Sequence, residues 1–199
     1  MRCRLLCVFS LAVDVVEAET FNPQRSFPVR SAVTDDIGRV EIGELRPGRY
    51  LVGINLTRAP DIRQPYPRTF YPGVSESGTA RVIQLALGEL VNLEKLVLPP
   101  PLPAQTIRGV VKSPDGKPVA KAAVALWMPV VRQVGSGIAT DGEGRLEFKA
   151  HAGQRCYLTA FINIAAKPAV QWTGRSAEFE ASADLAPVTI TLQPPRDRR

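Results

Sequence analysis

Residues 140–148 read TDGEGRLEF, and residues 34–42 read TDDIGRVEI with the same spacing. In each stretch aspartate and glycine favour a tight turn, because Asp can hydrogen-bond to its own backbone and Gly accepts a positive φ at little cost. The residues after the turn alternate between charged and apolar, as they do in a strand with one buried face. Each stretch therefore predicts a tight turn followed by a β-strand.

A second turn follows each of these strands. Gly48 in the first stretch and Gly153 in the second precede the strand-like runs 50–56 and 157–162. The two stretches therefore predict two copies of one β-hairpin, and the chain contains an internal repeat.

The composition extends this pattern to the whole chain. Its 199 residues include 18 prolines and 15 glycines, which are spread between short runs of Val, Leu, Ile and Thr. Many short strands joined by turns are typical of a sandwich. The fold class predicted from the sequence is all-β, with two antiparallel sandwiches in tandem.

Proline marks the boundary between the two copies. Residues 99–103 read PPPLP, which cannot donate ladder hydrogen bonds and favours a stiff, extended connection. The predicted organisation is a first module, a proline-rich linker, a second module and a basic tail, at residues 1–98, 99–104, 105–193 and 194–199.

The amino terminus has two interpretations. Residues 1–13 weakly resemble a secretory signal, with Arg2 and Arg4 before an apolar run that Asp14 interrupts. Alternatively, residues 12–18 are already a strand of the first module. In that case the counterpart of the second module's opening strand lies upstream of Met1, and we expect the first module to lack this strand. An unpaired edge would then favour self-association or a donated strand.

The second module resembles the carboxypeptidase regulatory-like domain, a transthyretin-like or immunoglobulin-like β-sandwich. The matching residues are 109–111, 115–119, 122–126, 140–141, 144–148, 153 and 157–160. The first module is similar to a divergent copy of the same domain. The resemblance implies two tandem immunoglobulin-like sandwiches in a secreted or envelope protein of bacteria, and it implies no catalytic residues.

The sequence gives little support to catalysis. His151 is the single histidine, whereas a zinc peptidase needs several ligands and a nucleophile needs an activating base. We expect His151 in an exposed turn and Cys156 as a buried thiol. No glycine-rich phosphate motif is present, so no cofactor and no metal are predicted.

Charge and hydropathy exclude two further classes of partner. The arginines behind the net charge of +6 are scattered singly except in the tail 196–199, and no aromatic-flanked RNA-binding signature is present, so no nucleic-acid binding is expected. No apolar run approaches the roughly 20 residues that cross a bilayer, so no transmembrane segment is expected.

Aromatic residues supply the candidate contacts. Residues 64–73 form a proline-stiffened segment with Tyr66, Phe70 and Tyr71, and Trp172 is a further candidate for exposure. Rigid aromatics stack on sugars or anchor protein partners. Alternatively, the three residues fold back over an open edge of the sandwich as a small core. Trp127 is expected in the core.

These patterns support two hypotheses. The first is a non-catalytic structural or interaction module of a bacterial cell-envelope or secreted protein, with a protein or polysaccharide partner. The alternative is a carbohydrate-binding accessory module that uses the aromatic segment.

Overall fold

A computed structural model describes residues 2–6, 10–129, 133–134, 137–164 and 170–195, with the backbone alone for 2–6 and 133–134. The described residues form β-strands, turns and one 3-10 turn at Ser77–Thr79, which confirms the all-β prediction. The chain divides into two compact units, Met1–Leu102 and Pro103–Arg199. The predicted basic tail falls largely outside the described residues.

Unit 1 consists of two sheets. Its described strands are β1 (Arg2–Leu6), β2 (Ala12–Glu17), β3 (Arg30–Val33), β4 (Arg39–Ile42), β5 (Gly48–Ile54), β6 (Thr69–Phe70), β7 (Ile83–Leu85) and β8 (Leu90–Lys95). The first sheet has the order β4-β1-β8, and the second has the order β3-β2-β5-β6 with β7 also paired to β5. In the first sheet β1 is antiparallel to β4 and parallel to β8.

The core of unit 1 follows from strand alternation. Val13 and Val15 of β2 are buried beside Val52 of β5, and Val40 and Ile42 of β4 belong to the same cluster. The charged neighbours of Val40 and Ile42 face solvent. Burying each such side chain stabilises the fold by about 1.5–3 kcal/mol relative to leaving it exposed.

Unit 2 also consists of two sheets. Its described strands are β9 (Ala104–Lys112), β10 (Ala123–Met128), β11 (Gln133–Val134), β12 (Ile138–Ala139), β13 (Arg145–His151), β14 (Arg155–Ile164), β15 (Val170–Arg175), β16 (Phe179–Glu180) and β17 (Val188–Thr191). The first sheet has the order β13-β9-β17, and the second has the order β11-β10-β14-β15 with β12 on β10 and β16 on β14. Ile107, Leu158 and Ile190 are completely buried in this unit.

The strand pairing of the two units is the same. The middle strand of each first sheet, β1 or β9, is antiparallel to one neighbour and parallel to the other. Arg2–Leu6 pairs on both sides in unit 1, in the place that β9 occupies in unit 2, where the sequence predicts that the first module lacks a strand. The local sequence pattern of these residues is that of a charged and apolar leader, whereas their strand pairing depends on partners more than 30 residues away. Self-association through that vacant edge loses its basis.

The repeated turns are confirmed by matching hydrogen bonds. Asp35 Oδ1 accepts from the backbone N–H groups of Ile37 at 3.1 Å and Arg39 at 2.7 Å. Asp141 Oδ1 accepts from those of Glu143 at 3.0 Å and Arg145 at 2.7 Å. The carboxylates satisfy backbone donors that the turn would otherwise leave unpaired.

A buried threonine joins each turn to the neighbouring strand. Thr34 Oγ1 accepts from the N–H of Leu11 at 3.0 Å, and Thr140 Oγ1 accepts from the N–H of Ala122 at 2.9 Å. The threonine N–H groups donate back to the carbonyls of the same two residues. Leu11 and Ala122 therefore occupy equivalent positions, and this relation aligns β2 with β10.

Candidate interaction surface

The outer face of the second sheet of unit 2 carries aromatic residues. Strand β10 alternates between buried and half-buried positions, and Trp127 is on the half-buried side with the small residues Ala123 and Ala125. Strand β14 alternates in the same way, which places Tyr157 and Phe161 on this side. We call the surface formed by Trp127, Tyr157, Thr159, Phe161 and Arg175 the aromatic face.

Three flat groups stack across this face. The rings of Trp127 and Tyr157 are parallel within 2° with centroids 6.0 Å apart, and the Arg175 guanidinium carbon is 3.8 Å from the Tyr157 ring centroid. Trp127 Nε1 donates a hydrogen bond to Thr159 Oγ1 at 2.9 Å. Aromatic stacking, a cation–π contact and a hydrogen bond thus order the face before any partner arrives.

Part of the aromatic face remains accessible. Phe161 is 45% exposed, and the Arg175 side chain is 57% exposed. Arg175 and Arg155 share the carboxylate of Glu178, at 3.5 and 2.9 Å. Such exposed ion pairs contribute little to stability. They position the arginines at the border of the face.

A shallow groove continues from the aromatic face. It has a volume of about 760 Å³ and extends from Phe161 and Arg175 past Thr173 to Thr189 and Thr191 of β17. Its lining offers hydroxyl groups beside an aromatic ring. The surface can therefore accept both apolar and hydrogen-bonding groups.

The corresponding face of unit 1 is covered by the unit's own chain. Val16, Leu51 and Phe70 on this face are buried together with Leu56, which belongs to the segment after β5. Phe21, in the segment after β2, meets Phe70 edge to face with ring centroids 5.5 Å apart. Residues 18–21 and 55–64 are called the covering segments below.

A charge pair links a covering segment to this face. Asp14 of β2 is completely buried, and its Oδ1 accepts from Ser31 Oγ at 2.7 Å and from an Arg58 guanidinium nitrogen at 2.9 Å. Its Oδ2 has no hydrogen-bond partner. A buried carboxylate is costly without such partners, so Arg58 couples the segment to the face.

Amide side chains hold the ends of the longer covering segment. Asn55 has a φ of 53° and leaves the strand direction directly after β5. The Gln64 side chain accepts from the N–H of Ala12 at 2.9 Å and donates to its carbonyl at 3.1 Å. Gln64 Nε2 also donates to Asn55 Oδ1 at 3.0 Å. The Gln64 amide thus takes the place of a peptide group in the ladder.

The structure does not bring the four predicted contact residues together on a surface. Phe70 and Tyr71 are 1% and 2% exposed, and Tyr66 is partly buried against the core of unit 1. Trp172 is half-buried on β15, opposite Ile162. Tyr66 and Tyr71 therefore pack with the main core of unit 1 and Phe70 with a smaller cluster, and the segment 64–73 gives no support to sugar binding by an exposed aromatic loop.

Trp127 and His151 differ from expectation, whereas Cys156 agrees with it. Trp127 was expected in the core and lies on the aromatic face; the alternation with Val124 and Leu126 was the signal that could have placed it. His151 was expected in an exposed turn, but it ends β13 at 7% exposure with Nδ1 unpartnered. Cys156 is completely buried, and burial raises the pKa of its thiol to about 11.

The described residues lack the features of a metal site and of a membrane-spanning helix. They contain no group of three or more His, Cys, Asp or Glu side chains placed to hold a metal ion. They also contain no helix whose length and hydropathy would suit a bilayer crossing.

Comparison with known proteins finds similarity to solved structures only. No protein-family model and no curated protein matches the chain. A streptococcal ancillary pilin is 11% identical with a TM-score of 0.46, and the match covers 98% of this chain and 63% of the pilin, less than two thirds of its length. A minor pilin of Streptococcus agalactiae is 9% identical with a TM-score of 0.49, and the match covers 100% and 98%. At these identities and scores the similarities indicate no function.

Proposed function

We propose that the chain is a non-catalytic structural and interaction module of a bacterial cell-envelope or secreted protein, and that the aromatic face binds a protein partner. One observation carries this proposal. The outer face of the second sheet is covered in unit 1, whereas in unit 2 it is ordered by stacking and left accessible. An accessible face that is already ordered loses little side-chain entropy when a partner binds.

The residue types on the aromatic face favour a protein partner. Trp, Tyr and Arg are the residues most enriched among those that dominate binding energy at protein interfaces. The surrounding threonines and exposed ion pairs resemble the polar rim of such an interface. The face and its groove are open to solvent, which suits a protein segment better than a small molecule, because small molecules prefer concave sites that bury most of their surface.

We further propose that the two units are tandem copies of a carboxypeptidase regulatory-like domain. Their shared strand pairing and their matching Thr-Asp turns support this. The bacterial envelope or exterior is the location that the resemblance implies. Fractionation of the producing cells should place the chain there, and recovery in the cytosol alone would contradict the location.

Site-specific photo-crosslinking in the producing cell tests the binding role. A photoreactive phenylalanine analogue at Phe161 should give a discrete covalent adduct with another protein. Phe27, which is 87% exposed in unit 1, is the matched control position and should give no such adduct. The proposal fails when position 161 gives no adduct or gives the same adducts as position 27.

A further inference from the structure

The outer face of the second sheet is covered in unit 1, and the equivalent face in unit 2 is accessible. Because Leu11 and Ala122 are equivalent, Asp14 corresponds to Ala125 and Val16 corresponds to Trp127. Asp14 is paired with Gly53 across the sheet, and Ala125 is paired with Thr159. The covering of this face in unit 1 therefore shows what kind of contact the aromatic face can make.

Glycine explains how closely the chain approaches the face in unit 1. A Cβ atom on Gly53 would be 2.2 Å from the carbonyl oxygen of Thr69, so this approach needs a residue without a side chain. Unit 2 has Thr159 at that place. Strand β14 is joined to β15 by residues 165–169, whereas residues 55–68 join β5 to β6. The aromatic face thus differs from its counterpart in side-chain volume, and the connection that follows β14 has fewer residues than the one that follows β5.

The cover in unit 1 combines apolar packing with one charge pair. Leu56 and Phe21 pack on the face, and Arg58 neutralises the buried Asp14. In unit 2 the sign of the charge is reversed. The face itself carries Arg175, whose guanidinium lies on the Tyr157 ring and shares one carboxylate with Arg155.

The charge of unit 2 has the same sign as Arg175. Residues 103–199 contain thirteen Lys and Arg against eight Asp and Glu, and the part of this range that the structure describes contains eight against seven. An exposed guanidinium on the face, that of Arg175, attracts acidic groups of a partner and speeds their association. The guanidinium has five N–H donors, so Arg175 can remain paired with Glu178 and also donate hydrogen bonds to a second carboxylate.

We infer that the aromatic face binds an acidic segment of a partner protein, which places an apolar side chain against Phe161 and Trp127 and a carboxylate on Arg175. This inference rests on the proposed function and names the chemistry of its partner. The covered face of unit 1 is a precedent within the same chain. There the face carries the acid, Asp14, and the covering segment carries the base, Arg58. In the inferred complex the face carries the base, Arg175, and the partner carries the acid.

Selection from a phage-displayed random peptide library, with the full chain as bait, tests this chemistry. Peptides that bind should be enriched in Asp or Glu next to apolar residues. For synthetic versions of these peptides, Trp172→Phe leaves Trp127 as the single tryptophan, and its fluorescence reports binding at the face. Arg175→Gln should weaken binding about tenfold, the change expected for an anchoring charge at an interface.

Matched variants separate the inference from the proposed function. Arg108→Gln, at a 70% exposed arginine on the other sheet of unit 2, should leave the affinity unchanged, and Arg175→Lys should restore it in part. The inference is overturned if the selected peptides need Phe161 for binding but are not acidic, and if Arg175→Gln does not change their affinity. This outcome leaves the proposed function intact. Absence of any peptide that loses binding on Phe161→Ser contradicts both. Sedimentation that shows self-association abolished by Phe161→Ser also overturns the inference, because the occupant is then a second copy.

Discussion

At the residue scale, each unit uses one buried threonine to join its Asp turn to the adjacent strand. Thr34 and Thr140 are each 4% exposed. Their hydroxyl oxygens accept from the N–H groups of Leu11 and Ala122, which directly precede β2 and β10. The threonine hydroxyl oxygen thus serves as the acceptor for a backbone N–H group, as a carbonyl oxygen does within the sheet. Each threonine therefore contributes a hydrogen bond that a side chain of the same shape without oxygen cannot make.

Thr140→Val tests this role. The change keeps the shape of the side chain but leaves the Ala122 N–H without its acceptor, and it also removes the donor to the Val119 carbonyl at 2.7 Å. We expect the free energy of unfolding to fall by about 1–3 kcal/mol, the cost of an unsatisfied buried polar group. Denaturant unfolding measures this loss, and Thr140→Ser should retain most of the stability. Equal losses for Val and Ser would show that packing of the methyl group matters instead.

The buried thiol of Cys156 gives a pH dependence with a defined sign. Burial raises its pKa from 9.0 to about 11 in the folded state, whereas the unfolded chain releases this proton near the ordinary value. Between these values the unfolded state binds fewer protons, so the free energy of unfolding falls as the pH rises from about 9 to 11. Cys156→Ala should flatten this part of the pH profile in denaturant unfolding. An identical slope in the wild type and the variant would contradict the assignment.

At the element scale, the sequence predicted the hairpins well because their signals are local. The Asp turns and the alternation of Val40 with Glu41 specify β4, and the same pattern specifies β13. The place of β1 and the covering segments could not be predicted in this way. Both depend on pairing between residues distant in the sequence, such as Gln64 with Ala12. Periodicity was sufficient to place Trp127 on the outer face, but its position in a predicted strand favoured the core interpretation.

Gly53→Ala tests the close approach of β5 and β6. The added methyl group would meet the Thr69 carbonyl oxygen at 2.2 Å and Leu56 at 2.9 Å, so β6 or the covering segment must shift. We expect a loss of about 1–3 kcal/mol in unfolding free energy, typical of overpacking. The control is Gly78→Ala in the same unit, where a Cβ atom would have nothing within 4 Å. Equal stability of the two variants in thermal unfolding would show that the sheet adapts without cost.

At the scale of the whole molecule, each of the two units has its own buried apolar side chains, and the two units differ in their tryptophan content. The core of unit 1 includes Val52 and Ile54, and that of unit 2 includes Leu158 and Ile190. Both tryptophans, Trp127 and Trp172, belong to unit 2. Tryptophan fluorescence therefore follows unit 2, whereas far-UV circular dichroism follows the strands of both units.

This separation allows independent folding of the two units to be tested in the full chain. We expect Ile54→Ala to destabilise unit 1 by about 2–5 kcal/mol, the usual cost of such a cavity, and to leave the tryptophan transition in place. Leu158→Ala should shift the tryptophan transition by a similar free energy while the dichroism retains a component at the wild-type denaturant midpoint. Each unit then unfolds as its own cooperative transition, because its apolar side chains are buried by its own sheets. If Ile54→Ala moves the tryptophan transition by the same amount as the dichroism, the chain unfolds as one cooperative body and the boundary near residue 102 separates two structural units but not two folding units.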